Sequence, residues 1–486
     1  MPIRLTCLLL LTATAAAQHQ FREHSTGPIA AVWDAAFCDI DGDGDQDLLQ
    51  STQYLVTVKR NDGSGHFTDE TIQVAAAGYL TLQTGDFDGD GDIDAFALVP
   101  SVRGSVLLRN GGGPITAEVQ NLAPVNTSAY ASAVADFDDD GDLDIVVAPG
   151  QGSPVMLVND GTGAFAVDPV PFTGISTTFL GAIGTGEWNG DGAPDLLLMQ
   201  LTTLGILIND GAGSFTWSTG SIPATALAQS MAVADLDDDG ISDVIVSTQS
   251  STNAGTAVLR GDGRGGLLSY GGVAVGGFYR LAAADLDDDG DLDVAATSSS
   301  RSTTTLNILL NDGAGHLAYA TATRANAVPE SLARIAAGDV DGDGDVDLFL
   351  GGFPLPVAFP QLLFVNHHRQ VAITNRPRVG TAIALELNHR PGYGTGLGVG
   401  LSAAAFAAPA PLPTPYGRVW LDPATAVNLP FVSFFGANGT AQLNVALPND
   451  RNLANVEVLV QALPLDLFPI STAPRLTGFD RVVIAP

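Results

Sequence analysis

A nine-residue acidic pattern recurs seven times in this chain and constrains its fold more than any other feature. The copies are DIDGDGDQD, DFDGDGDID, DFDDDGDLD, EWNGDGAPD, DLDDDGISD, DLDDDGDLD and DVDGDGDVD, which begin at residues 39, 86, 136, 187, 235, 285 and 339. Their starts lie 47 to 54 residues apart. A regular period of this size indicates one supersecondary unit per copy.

Short strands are predicted on both sides of every acidic segment. Apolar, β-branched runs such as SMAVA and VIVST flank it, and they are too short for helices. A third apolar run ends in an Asn-Asp-Gly turn, as in LINDGAGSF, and such a turn predicts a hairpin with a fourth strand behind it. Each repeat is therefore expected to form four antiparallel strands.

Seven four-stranded units favour an all-β fold, a seven-bladed β-propeller spanning residues 18–366, because radial packing leaves only short, protected strand edges. A helical solenoid is disfavoured, since the repeats lack a 3.6-residue hydrophobic period. The last copy, FVNHHRQ, loses the turn glycines, whereas the N-terminal QHQFREHST, residues 18–26, resembles a fourth strand. We expect this N-terminal segment to complete the seventh blade.

The acidic segments have the composition of calcium loops. Calcium takes six to eight oxygen ligands, and carboxylates at positions 1, 3, 5 and 9 with a carbonyl at position 7 can surround it. Position 6 is Gly in every copy, as a sharp turn requires. An EF-hand is excluded because it needs flanking helices and a Glu at position 12, where the first copy has Gln50.

The candidate metal ligands are the residues at positions 1, 3, 5, 7 and 9 of each loop, except that loop 4 contributes only positions 1, 3, 5 and 9. They are Asp39, Asp41, Asp43, Asp45 and Asp47 in loop 1; Asp86, Asp88, Asp90, Asp92 and Asp94 in loop 2; Asp136, Asp138, Asp140, Asp142 and Asp144 in loop 3; Glu187, Asn189, Asp191 and Asp195 in loop 4; Asp235, Asp237, Asp239, Ile241 and Asp243 in loop 5; Asp285, Asp287, Asp289, Asp291 and Asp293 in loop 6; and Asp339, Asp341, Asp343, Asp345 and Asp347 in loop 7. Up to seven Ca²⁺ ions are expected, with the fourth site weak or empty because its loop carries only three acids.

The pattern DxDxDGxxD between two strands, followed by xNDGxGxF, resembles the FG-GAP or VCBS-type repeat of calcium-binding β-propellers. This family includes the head of the integrin α-subunit. The resemblance covers roughly residues 20 to 366. It implies a propeller with calcium in its loops, and it suggests binding of a protein or a glycan through the loops on one face.

Charge argues against a solvated acidic linker. The seven loops hold 35 of the 53 acidic residues within 63 positions, and carboxylates packed this closely repel one another unless they are neutralised. Seven Ca²⁺ ions would change the formal charge from -33 to -19. The same charge excludes nucleic acid and anionic membrane surfaces as expected partners, because phosphates would be repelled.

The two ends of the chain differ from the repeats. Residues 1–17 have the charged start, apolar run and small-residue site of a signal peptide, so we expect secretion to the extracellular space, cell surface or periplasm. Cleavage removes Cys7 and leaves Cys38, expected to be buried, without a disulfide partner. No later stretch predicts a membrane span.

Residues 367–486 carry net charge +2 and predict a small antiparallel β-sandwich. They resemble the C-terminal β domain that follows propellers in some secreted bacterial proteins.

Two functional hypotheses remain open from the sequence. The preferred one is a monomeric, secreted, calcium-stabilised propeller that acts as a binding, adhesion or scaffold protein for an extracellular protein or glycan. The alternative is a lyase or hydrolase that acts on extracellular polysaccharide. No catalytic motif such as HExxH or GxSxG occurs, and His66 and His316 share a turn position typical of surface residues.

Overall fold

The fold is taken from a computed structural model. The described residues are 22–25, 32–52, 55–63, 65–73, 81–98, 105–120, 122, 129–149, 151–168, 172, 177–178, 180–200, 203–218, 222–223, 227–249, 255–273, 278–287, 290–300, 303–325, 334–342, 344–351 and 361–366, with 371–373, 382–388, 397–404, 407–414, 417–421, 427–434, 440–446, 457–464 and 479–483 in the C-terminal part. The predicted signal peptide and the candidate ligands Asp289 and Asp343 lie outside these residues, and the predicted domain boundaries stay predictions.

Seven antiparallel sheets form the blades, numbered here by the acidic loop that each contains. Their strands are β2 (Asp34–Cys38), β3 (Asp47–Ser51), β4 (Leu55–Asn61) and β5 (Phe67–Gln73) in blade 1; β6 (Thr81–Gly85), β7 (Asp94–Leu98), β8 (Ser105–Arg109) and β9 (Thr116–Gln120) in blade 2; β10 (Ala129–Ala135), β11 (Asp144–Pro149), β13 (Val155–Asn159) and β14 (Phe165–Asp168) in blade 3; β16 (Leu180–Gly186), β17 (Asp195–Gln200), β18 (Thr203–Asn209) and β19 (Phe215–Trp217) in blade 4; β21 (Leu227–Ala234), β22 (Asp243–Gln249), β23 (Gly255–Gly261) and β24 (Leu267–Val273) in blade 5; β25 (Phe278–Ala284), β26 (Asp293–Ser300), β27 (Thr303–Leu310) and β28 (Ala318–Ala325) in blade 6; and β29 (Arg334–Gly338), β30 (Asp347–Gly351), β31 (Leu362–Val365) and β1 (Arg22–Ser25) in blade 7. Short strands β12 (Gln151–Gly152) and β15 (Thr177–Thr178) pair with each other, and β20 (Ile222–Pro223) pairs with β18.

The N-terminal segment completes the seventh blade, as the sequence predicts. Strand β1 pairs antiparallel with β31, with Arg22 opposite Val365 and Ser25 opposite Leu362. Strand β31 would otherwise be an unpaired edge. The first and last repeats are therefore joined within one sheet, and this pairing closes the ring.

Burial follows the position of a strand within its blade. Every residue of the second strands β3, β7 and β30 is buried, because these strands have neighbours on both sides and blades on both faces. The fourth strand β9 is exposed at all but its last residue. This difference explains why the second strands are continuous apolar runs whereas the outermost strands are polar.

One apolar cluster lies between each pair of consecutive blades. Seven such clusters occur among the described residues, and each draws side chains from two neighbouring sheets. The cluster around Val32, Val340 and Phe349 joins blade 7 to blade 1. The innermost strands of consecutive blades are also in contact, including β29 with β2. The hydrophobic core is thus a closed ring of inter-blade layers.

In five of the seven blades, the asparagine that begins the hairpin turn links its blade to the preceding one. The exceptions are blade 2, where the amide nitrogen of Asn110 has no acceptor, and blade 5, which has Gly261 at this place. In the five linked blades the side-chain amide donates to the carbonyl of position 2 in the acidic loop of the previous blade, as Asn159 does to Phe87 at 2.8 Å and Asn209 to Phe137 at 2.8 Å. The same bond joins blade 1 to blade 7, through Asn61 and Val340 at 2.5 Å. These buried bonds therefore reinforce five of the seven inter-blade interfaces.

The C-terminal part forms a second set of antiparallel sheets. Strands β32 (Val371–Ile373), β33 (Ala382–Asn388) and β38 (Thr440–Ala446) form one sheet; β37 (Val427–Phe434), β34 (Leu397–Ala404), β39 (Glu457–Pro464) and β40 (Phe479–Val483) form another; and β35 (Ala407–Thr414) pairs with β36 (Gly417–Leu421). Strand β32 lies against β40, and β37 lies against β38. The described strands of the C-terminal part are therefore antiparallel β-structure, and their packing as a small sandwich stays a prediction.

Within the described residues no helix is long or apolar enough to cross a membrane. All the regular structure found there is β-strand, apart from a single 3₁₀ residue.

Cys38 is buried between blades 1 and 2, as predicted, and burial together with the negative charges of Asp47 and Asp39 raises the pKa of its thiol to about 12. A thiol with this pKa stays protonated and behaves as a small apolar side chain.

The inter-blade asparagine gives a first testable prediction. We expect Asn209→Ala to lower the free energy of unfolding by about 1 to 3 kcal/mol, because the carbonyls of Phe137 and Pro194 lose a buried donor. The matched control is Asp210→Ala at the next, exposed position, where a smaller loss is expected. Urea unfolding monitored by circular dichroism measures both, and equal losses in the two variants would contradict the inter-blade role.

Candidate metal centres

All seven acidic loops connect the first strand of a blade to its second, so they lie on one face of the ring. Position 6 has a positive φ in every loop, between 84° for Gly240 and 96° for Gly141 and Gly290. Position 4 is also left-handed, with Gly in four loops and with Asp139 and Asp238 in loops 3 and 5. Asp tolerates this conformation better than most residues, and so the same turn forms in loops of both kinds.

The carboxylate at position 1 closes each turn. One of its oxygens accepts the N–H of the position 6 glycine in all seven loops, at 2.5 to 3.0 Å. In loops 2 and 7 its other oxygen accepts the N–H of position 4, from Gly89 and Gly342 at 2.8 Å. These bonds curl the loop around its own first side chain and point positions 3 and 5 toward it.

The carboxylate at position 9 is buried and joins three segments of the blade. In loop 3, Asp144 accepts the N–H of Phe137 with Oδ2 and the N–H of Asn159, at the end of the third strand, with Oδ1 at 2.9 Å. The same two bonds recur in all seven blades. Position 9 thus connects the loop, the second strand and the hairpin turn.

The folded loops bring several of the predicted ligands together. Carboxylate oxygens lie within 4.8 Å of one another in these groups: Asp39, Asp41 and Asp43; Asp86, Asp88 and Asp90; Asp136, Asp138 and Asp144; Asp235, Asp237 and Asp239; and Asp285, Asp287 and Asp293. Positions 1 and 3 belong to every group, and position 5 or position 9 supplies the third oxygen. Such clusters offer the all-oxygen environment that hard divalent cations prefer.

Several oxygens in these clusters are buried without any hydrogen-bond donor. They are Oδ1 of Asp39, Asp88, Asp136, Asp138 and Asp237. Leaving a buried carboxylate oxygen without a donor or a cation is costly. The unsatisfied atoms lie at positions 1 and 3 of four different loops, where a shared ligand would contact them. The residues present therefore fit a bound cation.

Position 7 was predicted to use its carbonyl, so its side chain could vary. Asp45 and Asp345 are buried there, whereas loop 5 has Ile241, whose side chain packs beside Gly261. The backbone N–H of position 7 donates to the position 5 carboxylate in five loops, for example from Ile241 to Asp239 at 2.9 Å. The local turn is thus the same with Asp or Ile.

Loop 4 satisfies its polar groups internally. Glu187 accepts three backbone N–H groups with its two oxygens, from Asn189, Gly190 and Gly192. The Asn189 amide donates to Asp191 at 2.7 Å, so a donor group faces the carboxylate of position 5. This internal amide donor distinguishes loop 4 from the six loops that have Asp at position 3.

Burial of the position 9 carboxylates raises their pKa. It raises the pKa of Asp47 and Asp144 to about 7 and that of Asp94, Asp195 and Asp243 to about 6. The pKa of Asp347 is raised as well. The negative charges of nearby loop carboxylates add to the rise, whereas the two N–H donors oppose it. Without a cation, the position 9 carboxylates therefore keep their protons to a higher pH than an exposed Asp does.

Three features of the loop face were not predicted from the sequence. One is the inter-blade bond of the turn asparagine, and another is the fully buried apolar residue at position 2, such as Phe87 or Trp188. The third is a set of arginines, Arg60, Arg109 and Arg260, that contact position 3. An apolar residue at position 2 of every copy was the visible signal for the second feature. His66 and His316 are exposed turn residues, as predicted.

Comparison with known structures gives distant similarity. The crystal structure of the Saccharomyces cerevisiae core factor matches with a TM-score of 0.46 at 6% identity, and the match covers 72% of this chain and 61% of that one. A triple arginine-to-alanine mutant of AofleA from Arthrobotrys oligospora matches with a TM-score of 0.39 at 12% identity, covering 63% of this chain and 92% of that one. No curated protein sequence matches the chain.

The family comparison agrees with the repeat geometry. The model of the FG-GAP-like repeat matches five times, at residues 39–97, 86–147, 136–198, 187–246 and 285–350. Each match begins at position 1 of an acidic loop and extends into the second strand of the following blade. Together the matches cover more than half of the 486 residues. The chain therefore belongs to the FG-GAP-like repeat family.

Proposed function

We propose that this protein is a secreted, calcium-stabilised propeller that binds an extracellular protein or glycan as a monomeric scaffold. The observation that carries the calcium part is the set of buried carboxylate oxygens without donors in four loops. A propeller of FG-GAP-like repeats is a fold typically used for binding and scaffolding. The formal charge of -33 also favours uptake of cations.

In each regular loop the carboxylates at positions 1, 3 and 5 would hold the ion, with position 9 adjacent. A bound calcium ion supplies the positive charge that relieves repulsion among the carboxylates. The backbone N–H groups that already bind positions 1 and 9 keep these side chains oriented. The role of the metal is thus structural, and it holds the first and second strands of a blade against the turn.

The proposed ligand surface is the face opposite the acidic loops. Each second strand ends and each third strand begins at that face, and the sequence between the two strands ranges from two residues in blade 4 to ten in blade 7. The acidic loops, in contrast, have one length and one backbone turn. Variable connections on a regular scaffold are the usual place for recognition residues.

The polysaccharide-active alternative is not favoured by any specific contact among the described residues. The convergent carboxylates named above belong to the acidic loops, where backbone N–H groups already bind them. The binding experiment described below therefore also measures whether the protein shortens a polysaccharide.

Calcium removal is expected to destabilise the protein. Extracellular calcium modules have Kd values of about 0.1 to 1 mM, and a site gains about 1.4 kcal/mol at ten times its Kd. Thermal unfolding in 10 mM Ca²⁺ and after chelation should therefore give clearly different Tm values. An unchanged Tm would overturn the calcium proposal.

Two matched variants remove the same position 5 charge: Asp140→Asn should reduce the calcium-dependent gain in Tm, whereas Asp191→Asn in the internally bonded loop 4 should leave it nearly unchanged.

The stability of the calcium-free protein should fall as the pH rises. The position 9 carboxylates have a pKa of about 6 to 7 when folded, above the value near 3.9 of an exposed Asp, so the folded chain binds more protons than the unfolded chain between pH 4 and 7. Stability without calcium should therefore fall as pH rises through this range. The Tm gap between calcium-loaded and resin-stripped protein should widen from pH 5 to pH 8, and a constant or narrowing gap would contradict the burial of these charges.

Ligand binding tests the extracellular part of the proposal. We expect the purified protein to be retained by particular glycans on an array, or by an extracellular surface protein, in Ca²⁺ and to be released by a chelator. Mg²⁺ at the same concentration controls for ionic strength. Polysaccharide incubated with the protein should keep its chain length. Absence of any binding would contradict the scaffold role, and a shortened polysaccharide would support the enzyme instead.

A further inference from the structure

Three of the seven blades place an arginine at the last position of the third strand or just before its end. These residues are Arg60, Arg109 and Arg260 in blades 1, 2 and 5. The equivalent residues of the other blades are apolar: Val158, Ile208, Leu310 and Val365. All seven positions directly precede the residue whose N–H binds the position 9 carboxylate. The repeats therefore differ in charge at one defined point beside the acidic loop.

Each of the three arginines forms an ion pair with position 3 of its own loop. Arg60 Nη1 donates to Asp41 Oδ2 at 2.9 Å. Arg109 pairs with Asp88, and Arg260 pairs with Asp237. The side chains of Asp88 and Asp237 are only 9% and 6% exposed, so these pairs form at buried carboxylates.

The arginine contacts one oxygen of the position 3 carboxylate and leaves the other oxygen facing the cluster. In both Asp88 and Asp237 the arginine binds Oδ2, whereas Oδ1 is buried without a donor. A cation at the cluster and the guanidinium would thus share one carboxylate from opposite sides. Since both are positive, each reduces the attraction of the carboxylate for the other.

The fourth strand holds the guanidinium in place. Arg60 also binds Glu70 at 3.0 Å, and Arg109 binds Glu118 at 3.3 Å. Arg260 has no acid at this place and lies over the ring of Tyr270, 5.6 Å from its centre. The arginines are therefore fixed parts of the hairpin and stay beside the loop when no metal is bound.

We propose that these arginines divide the calcium loops into two classes. Loops 1, 2 and 5 carry an internal cation that partly neutralises position 3, so they bind calcium more weakly and keep their turn without it. Loops 3, 6 and 7 have no such arginine, and loops 3 and 6 contain six acids each, so they bind calcium more tightly and depend on it. Loop 4 stands apart because of its internal amide bond. This inference rests on the proposed calcium binding.

The expected effect of each arginine on the calcium affinity of its loop can be sized from the known strength of partly exposed ion pairs. Such pairs change a binding equilibrium by about two- to fivefold in favourable geometry. Hydrogen–deuterium exchange followed by mass spectrometry, with the full chain in a calcium series, gives a separate calcium midpoint for each loop. In the wild type, loops 1, 2 and 5 should be protected at higher calcium than loops 3, 6 and 7, and they should exchange more slowly in chelator.

Two substitutions in blade 5 isolate the role of the arginine. Arg260→Met should lower the calcium midpoint of loop 5 by about two- to fivefold and should speed its exchange in chelator. Arg264→Met removes the same charge from the exposed hairpin turn of the same blade, where the backbone N–H of Arg264 binds Asp262 at 2.8 Å, and it should leave the midpoint unchanged. Arg260→Lys keeps the charge and should stay near the wild type.

The outcomes separate this inference from the proposed function. If no loop of the wild type gains protection with calcium, both proposals fail. If the loops are protected but Arg260→Met and Arg264→Met have the same loop 5 midpoint, only the two-class inference is overturned. An Arg260→Lys midpoint equal to that of Arg260→Met would also overturn it, because the charge would then have no effect. Arg109→Met provides the same comparison in loop 2 if blade 5 does not tolerate the change.

Discussion

The buried carboxylate at position 9 is the interaction on which the rest of each blade depends. It accepts one N–H from its own loop and one from the end of the third strand, so it fixes three segments with one side chain. The same burial places a negative charge beside the carboxylates of positions 1 and 3 and raises its pKa. The contact that organises the blade therefore also creates the need for a positive charge nearby.

Neighbouring blades are joined through the second residue of the same loop. The apolar side chain of position 2 fills the inter-blade layer, and at five interfaces its carbonyl accepts the asparagine amide of the next blade. Blade 5 has Gly261 in place of this asparagine, and there the backbone N–H of Gly265 donates to the carbonyl of Trp188 at 2.8 Å. Ser242 adds bonds to Glu187. The position 2 carbonyl is thus satisfied by a different donor at the same interface.

The sequence was sufficient for the features that depend on local pattern. The fifty-residue period gave the blade count, the glycine at position 6 gave the turn, and the lost glycines near Asn366 pointed to β1 as the closing strand. The inter-blade role of Asn209 could not be derived from the sequence. An asparagine at this place is expected for the hairpin turn alone, and the carbonyl of Phe137 that its amide binds lies 72 residues away. The Arg260 contact likewise depends on how the third strand faces the loop. The C-terminal part has no repeat, so its prediction as a small sandwich rested on strand-like runs and Gly- and Pro-rich turns alone.

The seven loops share one backbone turn but differ in how they balance charge. Loop 4 has three acids and an amide donor, loops 1, 2 and 5 have an arginine, and loops 3 and 6 have six acids without one. Because each blade packs only against its two neighbours, these differences act locally. Blades 4 and 5 are adjacent, they have internal donors, and additional hydrogen bonds join them through Ser242 and Gly265. If the loops bind calcium as proposed, we expect this sector to keep its geometry with fewer cations than loop 3, which has six acids and the apolar Val158 at the place of the arginine.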